Sequence, residues 1–183
     1  MVIFLDMDGV LCDLVRHVYR SLYDLSEDQI EQAYLLTTEW DAMSRALSTV
    51  TGREVTDSEM WGRVACCGEE WWARMPWAED GKLLLEAAVR SPSRVYIAST
   101  PTRDPQSASG KMMWLEKNAP ALARRFFLCQ DKALLAGPAR MLFDDNEETC
   151  KKFEEAGGES VLWPAPWNSQ AISKRRLLTK FFG

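Results

Sequence analysis

The chain has a single histidine, His17, in 183 residues. Chemistry that needs two, such as an HExxH zinc centre, is excluded. Cysteine is nearly as uninformative: Cys12, Cys66, Cys67, Cys129 and Cys150 are odd in number, and no pair has CxxC spacing. This argues against a disulfide framework or a thiolate zinc site, and for a reducing compartment, the cytoplasm. Basic surplus is missing too. Lys and Arg number 22 against 27 Asp and Glu, a net charge of −5, the wrong sign for a sequence-blind binder of long nucleic acids. There is no long apolar run either. The first one, residues 2–5, stops at Asp6, so neither a membrane span nor a signal peptide is read. Repeats and low-complexity tracts are absent. What remains, 46% apolar and 27% charged residues, is a globular balance. The length suits one ordinary domain, or one core with a small inserted lobe.

Five short apolar segments read as strands: 2–5, 94–98, 126–128, 141–143 and 160–163. Each is a continuous run and not an alternating one, as expected for strands covered on both faces. Helical patterns fall between the later ones, at 82–90, 110–118 and 147–156. The last has Asn146 as N-cap, Glu147 and Glu148 in its first turn and Gly157 as its stop. Strand–helix alternation predicts a parallel α/β sheet, Rossmann-like, with helices on both faces. Residues 14–77 break the rhythm. They hold helical patterns at 15–22 and 26–36, no clear strand, and Trp40, Trp61, Trp71, Trp72 and Trp77. About 60 residues is too long for a simple crossover, so the segment reads as a helical cap inserted after the first strand. The core is then 1–13 plus 78–183. The basic end, 169–183, reads as a solvated surface helix.

Polar residues collect where the strands end. Asp6 and Asp8 follow the first, Ser99 and Thr100 the second, Asp131 and Lys132 the third, and Asp144 and Asp145 the fourth. That edge of an open parallel sheet is where ligands bind. The set suits phosphoryl transfer through an aspartate. Asp6 is the candidate nucleophile. Carboxylate and phosphate repel each other, and a Mg²⁺ held by oxygen ligands removes the repulsion. Asp6, the Asp8 carbonyl and Asp145 are candidate ligands, with Asp144 in support. Lys132, Ser99 and Thr100 are candidate phosphate holders. Asp8, brought over the leaving oxygen by a turn at Gly9, is the candidate acid and base.

These residues resemble the motifs of the haloacid dehalogenase superfamily of phosphatases. The motifs are FLDMDGVLCD (4–13), VYIAST (95–100), Lys132 within CQDK, and LFDDN (142–146). Within that superfamily, DMDGVLCD, IASTP followed by KMMWLEK, and DKALLAGPARMLFDD are similar to the 5'(3')-deoxyribonucleotidases. WWARMPWAEDGKLLLEA resembles the stretch by which their chain re-enters the core from the cap. The resemblance implies dephosphorylation of deoxyribonucleoside monophosphates, with a nucleobase held by cap residues matching Leu14, Trp40 and Trp61. It departs from the family pattern at Gln130 and Asn146, where members carry arginine, which leaves the substrate open. Trp71, Trp72, Trp77, Trp114, Trp163 and His17 read as packing residues. A different phosphomonoester, either a nucleic-acid 3'-phosphate or a sugar phosphate, is the nearest alternative. A phospho-accepting switch domain is the more distant one. Its acidic pair belongs to the first strand and its acceptor to a later one, the reverse of the order here. The implied partner is a small nucleotide, without membrane or long nucleic acid, and a homodimer is compatible with the sequence.

Overall fold

In a computed structural model, which describes all of residues 1–183, five parallel strands form one sheet in the order β3-β2-β1-β4-β5. They are β1 (Val2–Leu5), β2 (Arg94–Ser99), β3 (Phe126–Leu128), β4 (Arg140–Asp144) and β5 (Glu159–Leu162). β1 lies at the centre, with Ile3 opposite Val95 on one side and Met141 on the other. Its side chains alternate between faces. Ile3 and Leu5 enter the main core, while Phe4 joins Ala98, Leu142 and Phe153 on the opposite face. Burial on both faces explains the unbroken apolar runs.

Five helices lie between β1 and the helix leading to β2. They are α1 (Leu14–Leu22), α2 (Glu27–Leu36), α3 (Met43–Thr51), α4 (Asp57–Ala65) and α5 (Glu69–Ala73). Side-chain caps start several of them. Asp13 accepts from the Arg16 amide, Ser26 and Gln29 form a reciprocal capping box, and Thr56 accepts from the Glu59 amide. Helices α1 to α4 pack on one another, while α5 lies along α7 (Pro105–Asn118). The outgoing and returning chains run side by side. The Asp13 amide donates to the Pro76 carbonyl at 3.0 Å, and the Ala78 amide to the Leu11 carbonyl at 2.8 Å. Helix α6 (Gly81–Arg90) then leads into β2, α8 (Glu147–Glu155) joins β4 to β5, and α9 (Lys174–Phe182) closes the chain.

Two elements differ from expectation. α7 begins at Pro105 and not at Gly110, because Asp104 caps it and proline occupies its first turn. α9 is more than a solvated basic face: Leu177 is buried, and Phe181 and Phe182 pack on Phe143. No helix is long and apolar enough to cross a membrane.

Candidate active site

Strand β1 ends at Leu5 and delivers Asp6 to the sheet's carboxyl edge, where the Asp6 amide donates to the Phe143 carbonyl at 2.9 Å. The chain then turns sharply. Gly9 has φ +77°, and a Cβ there would collide with the Asp145 carboxylate, so glycine is needed for both conformation and space. Lys132 opens a short 3-10 turn capped by Asp131. Its Nζ lies 2.7 Å from Asp6 Oδ1 and 2.6 Å from Asp144 Oδ2. The other Asp144 oxygen accepts from the Asn146 amide at 3.0 Å. Asp144 is thus fully engaged by the protein. Asp145 is held by the Trp167 indole N–H, which donates to Oδ2 at 2.6 Å.

Asp8 has its own cation. Lys111, fully buried on α7, donates from Nζ to Asp8 Oδ2 at 2.6 Å, Ser99 Oγ at 3.0 Å and the Thr100 carbonyl at 3.0 Å. All three ammonium protons are used. Asp8 Oδ1 is left without a partner.

Four carboxylates (Asp6, Asp8, Asp144, Asp145) therefore face two ammonium groups, a deficit of two positive charges. The strain shows in the acids. Burial raises Asp6 to a pKa of about 7, opposed by Lys132 and reinforced by Asp144 and Asp8. Burial, then Asp144 and Asp6, push Asp145 well above the usual carboxylate range. Lys132 is driven the other way from ordinary buried lysines: desolvation lowers it, but Asp6 and Asp144 outweigh that and raise it. Carboxylate oxygens of Asp6, Asp144 and Asp145 lie within 4.8 Å of one another. Oxygen-only donors lacking two positive charges fit a hard divalent cation such as Mg²⁺.

Above this edge lies a cavity of about 660 Å³, within the range of small-molecule sites. Its floor is Asp6, Asp8, Lys132, Asp144 and Asp145, and its far wall includes Leu14, Trp40 and Trp61 from the helical lobe. Thr100 lines it too. Ser99 is the one expected site residue that does not: it is buried, and its hydroxyl accepts from Lys111. His17 stays outside, with its Nε2 against the Trp71 carbonyl. Trp72, Trp114 and Trp163 are buried packing residues.

Residues 1–177 match the family described as 5' nucleotidase, deoxy (pyrimidine), cytosolic type C protein. The chain belongs to that family. As such it is a phosphoric monoester hydrolase. No curated protein matches it. Among solved structures, a dehalogenase crystallised with an intermediate complex is 13% identical, with 100% of this chain and 97% of that chain covered and a TM-score of 0.59. A HAD-family hydrolase from Deinococcus radiodurans R1, with bound phosphate and sodium, is 14% identical over 98% of this chain and 86% of that one, with a TM-score of 0.52. At such identities the likeness is one of fold.

Against this family background, Gln130 and Asn146 have structural work. The Gln130 amide donates to the Pro101 carbonyl at 3.2 Å, and Asn146 caps α8 through the Thr149 amide. Both also line the cavity. The cavity's other cation is Arg103, exposed and without an ion pair. Sequence reading passed over Lys111 and Trp167. Lys111 had a usable signal. It shares one helix face with Ser107, Gly110, Trp114 and Leu115, all buried, and a lysine on an apolar stripe needs a buried partner. Trp167 had none, because it sits in an irregular segment with no periodicity.

Proposed function

We propose that the protein hydrolyses deoxyribonucleoside monophosphates by a Mg²⁺-dependent mechanism through an aspartyl-phosphate on Asp6. The observation that carries the reading is the convergence of Asp6, Asp8, Lys132 and Asp145 beneath a cavity walled by Trp40 and Trp61. Residues 14–77 act as the cap over that edge, and flat indole faces suit a nucleobase. A Mg²⁺ bound by Asp6 and Asp145, with the Asp8 carbonyl as a third ligand, would screen the repulsion between carboxylate and phosphate. Asp6 attacks phosphorus as the bond to the sugar oxygen breaks, and Asp8 gives its proton to the departing alkoxide. Asp8 then takes a proton from a water that attacks the same phosphorus, which releases inorganic phosphate and regenerates Asp6. Lys132 and Thr100 hold the phosphoryl oxygens, while Asp144 fixes Lys132. Ser99 acts one step back, by positioning Lys111. Five free cysteines are consistent with a cytoplasmic setting.

The test is phosphate release from deoxynucleoside 5'- and 3'-monophosphates, ribonucleotides, sugar phosphates and a 3'-phosphorylated oligonucleotide, with and without Mg²⁺. Metal-dependent release favouring deoxynucleotides, abolished in Asp6→Asn, is the expected outcome. Release only from sugar phosphates or polymer ends would keep the aspartate chemistry and remove the nucleobase role of the cap.

A further inference from the structure

The mechanism above gives Trp167 no part, although it touches both halves of the site. It lies in the irregular segment between β5 and α9 and is only 9% exposed. Its Nε1–H donates to Asp145 Oδ2. The neighbouring Asn168 side-chain Nδ2 donates to the carbonyls of Asp145 at 2.8 Å and Trp163 at 2.7 Å, which ties this segment to the end of β4. The Trp167 ring meets two lobe residues edge-on, Trp40 with centroids 5.3 Å apart and Tyr34 at 5.8 Å. Trp40 is a wall of the cavity. Burial alone does not account for the hydrogen bond. Trp72 and Trp163 are fully buried with no partner for their indole N–H. In this protein a tryptophan can fill space without an acceptor, and the one that has a carboxylate acceptor has the candidate metal ligand.

We propose that Trp167 is a positioning residue for both the metal site and the nucleobase wall: its N–H orients Asp145, and its ring supports Trp40. The proposal rests on the Mg²⁺ reading of the acidic cluster. A donor on one carboxylate oxygen fixes the plane of the group and leaves the other oxygen for a cation. Loss of such an outer partner weakens metal binding by roughly 10–100-fold. The aromatic contact works separately, by holding the indole on which a base stacks.

Two substitutions split these roles. Trp167→Phe keeps an aromatic ring and removes the donor. Trp167→His keeps an N–H at the same ring position and removes the six-membered ring. Mg²⁺ is titrated calorimetrically into each folded protein. The 5'-phosphonate analogue of deoxythymidine monophosphate is then titrated at saturating Mg²⁺. The Phe variant should bind Mg²⁺ about 10–100-fold more weakly and the His variant within about threefold of the parent. The His variant should instead bind the phosphonate roughly tenfold more weakly, since stacking on an aromatic contributes about 1–3 kcal/mol. Parental Mg²⁺ affinity in the Phe variant, or equal weakening in both variants, overturns the proposal. A parent protein that takes no Mg²⁺ overturns the metal reading itself, before any variant is made. If the Phe variant does not fold, the indole N–H resonance missing from the His variant is followed in the parent. It must move when Mg²⁺ is added, and a resonance that stays in place overturns the proposal.

Discussion

Lys111 places Asp8 without touching a substrate. Its ammonium spends all its protons on Asp8 Oδ2, Ser99 and the Thr100 carbonyl, and so leaves Asp8 Oδ1 as the oxygen without a partner, the one that the proposed proton transfer would use. In Lys111→Met the volume is nearly kept and the clamp is lost. Turnover of a nucleoside monophosphate should fall by about 10²-fold or more, the scale of general acid–base catalysis. From a nitrophenyl phosphate, nitrophenolate leaves without a proton donor, so the first turnover should survive while hydrolysis of the aspartyl-phosphate slows. The expected signature is a burst of about one equivalent of nitrophenol in stopped flow, absent from the parent. Equal loss on both substrates, with no burst, would make Lys111 a packing residue. The asymmetry in legibility is physical. Lys132, Asp6, Asp8, Asp144 and Asp145 stand just beyond or at the end of apolar runs, where strand geometry alone predicts a shared edge. Lys111 reaches that edge from inside a helix, and only the packing of α7 on the sheet shows how far its side chain extends.

At the scale of elements, the close pairing of α5 with α7 joins the end of the inserted lobe to the core. Gly110 makes it possible. A Cβ at that position would run into the Glu69 carbonyl and the Trp72 Cβ. In an exposed helix, Gly→Ala stabilises by about 1 kcal/mol. Here the sign should reverse, because overpacking a close contact costs about 1–3 kcal/mol. Urea denaturation of Gly110→Ala checks it, and a stability gain would mean that the two helices part freely. The strand positions were legible because residues buried on both faces leave unbroken apolar runs. Helix α8 was legible because its cap, acidic first turn and glycine stop all agree. The start of α7 was not, since the Asp104-Pro105 signal competes with a glycine that reads as a helix breaker but serves as a contact. The docking of α9 was hidden by its basic residues, of which Arg175, Arg176 and Lys180 are exposed.

For the whole molecule, the site is a charge problem that the fold leaves open. Lys111 answers Asp8, Lys132 is shared between Asp6 and Asp144, and the unmet charge shows as the raised Asp6 and Asp145. The sign of the pH dependence follows. Between the ordinary carboxylate value and about 7, folded Asp6 keeps a proton that the unfolded chain has lost. Its contribution to stability is therefore present at low pH and disappears as pH rises toward 7. Asp145 shifts in the same direction. Thermal denaturation of metal-free protein should show the Tm of the parent falling relative to that of Asp6→Asn from pH 5 to pH 8. The comparison with the variant removes pH effects common to both proteins. Mg²⁺ needs the deprotonated acids, so at fixed concentration its stabilisation should grow with pH in the parent and be much smaller in Asp6→Asn. A Mg²⁺ effect that is the same at pH 5 and pH 8, or the same in both proteins, would mean that the cation binds elsewhere. In that case the missing two charges would have to come from the substrate's surroundings, with Arg103 as the one uncommitted cation at the cavity able to supply part of them.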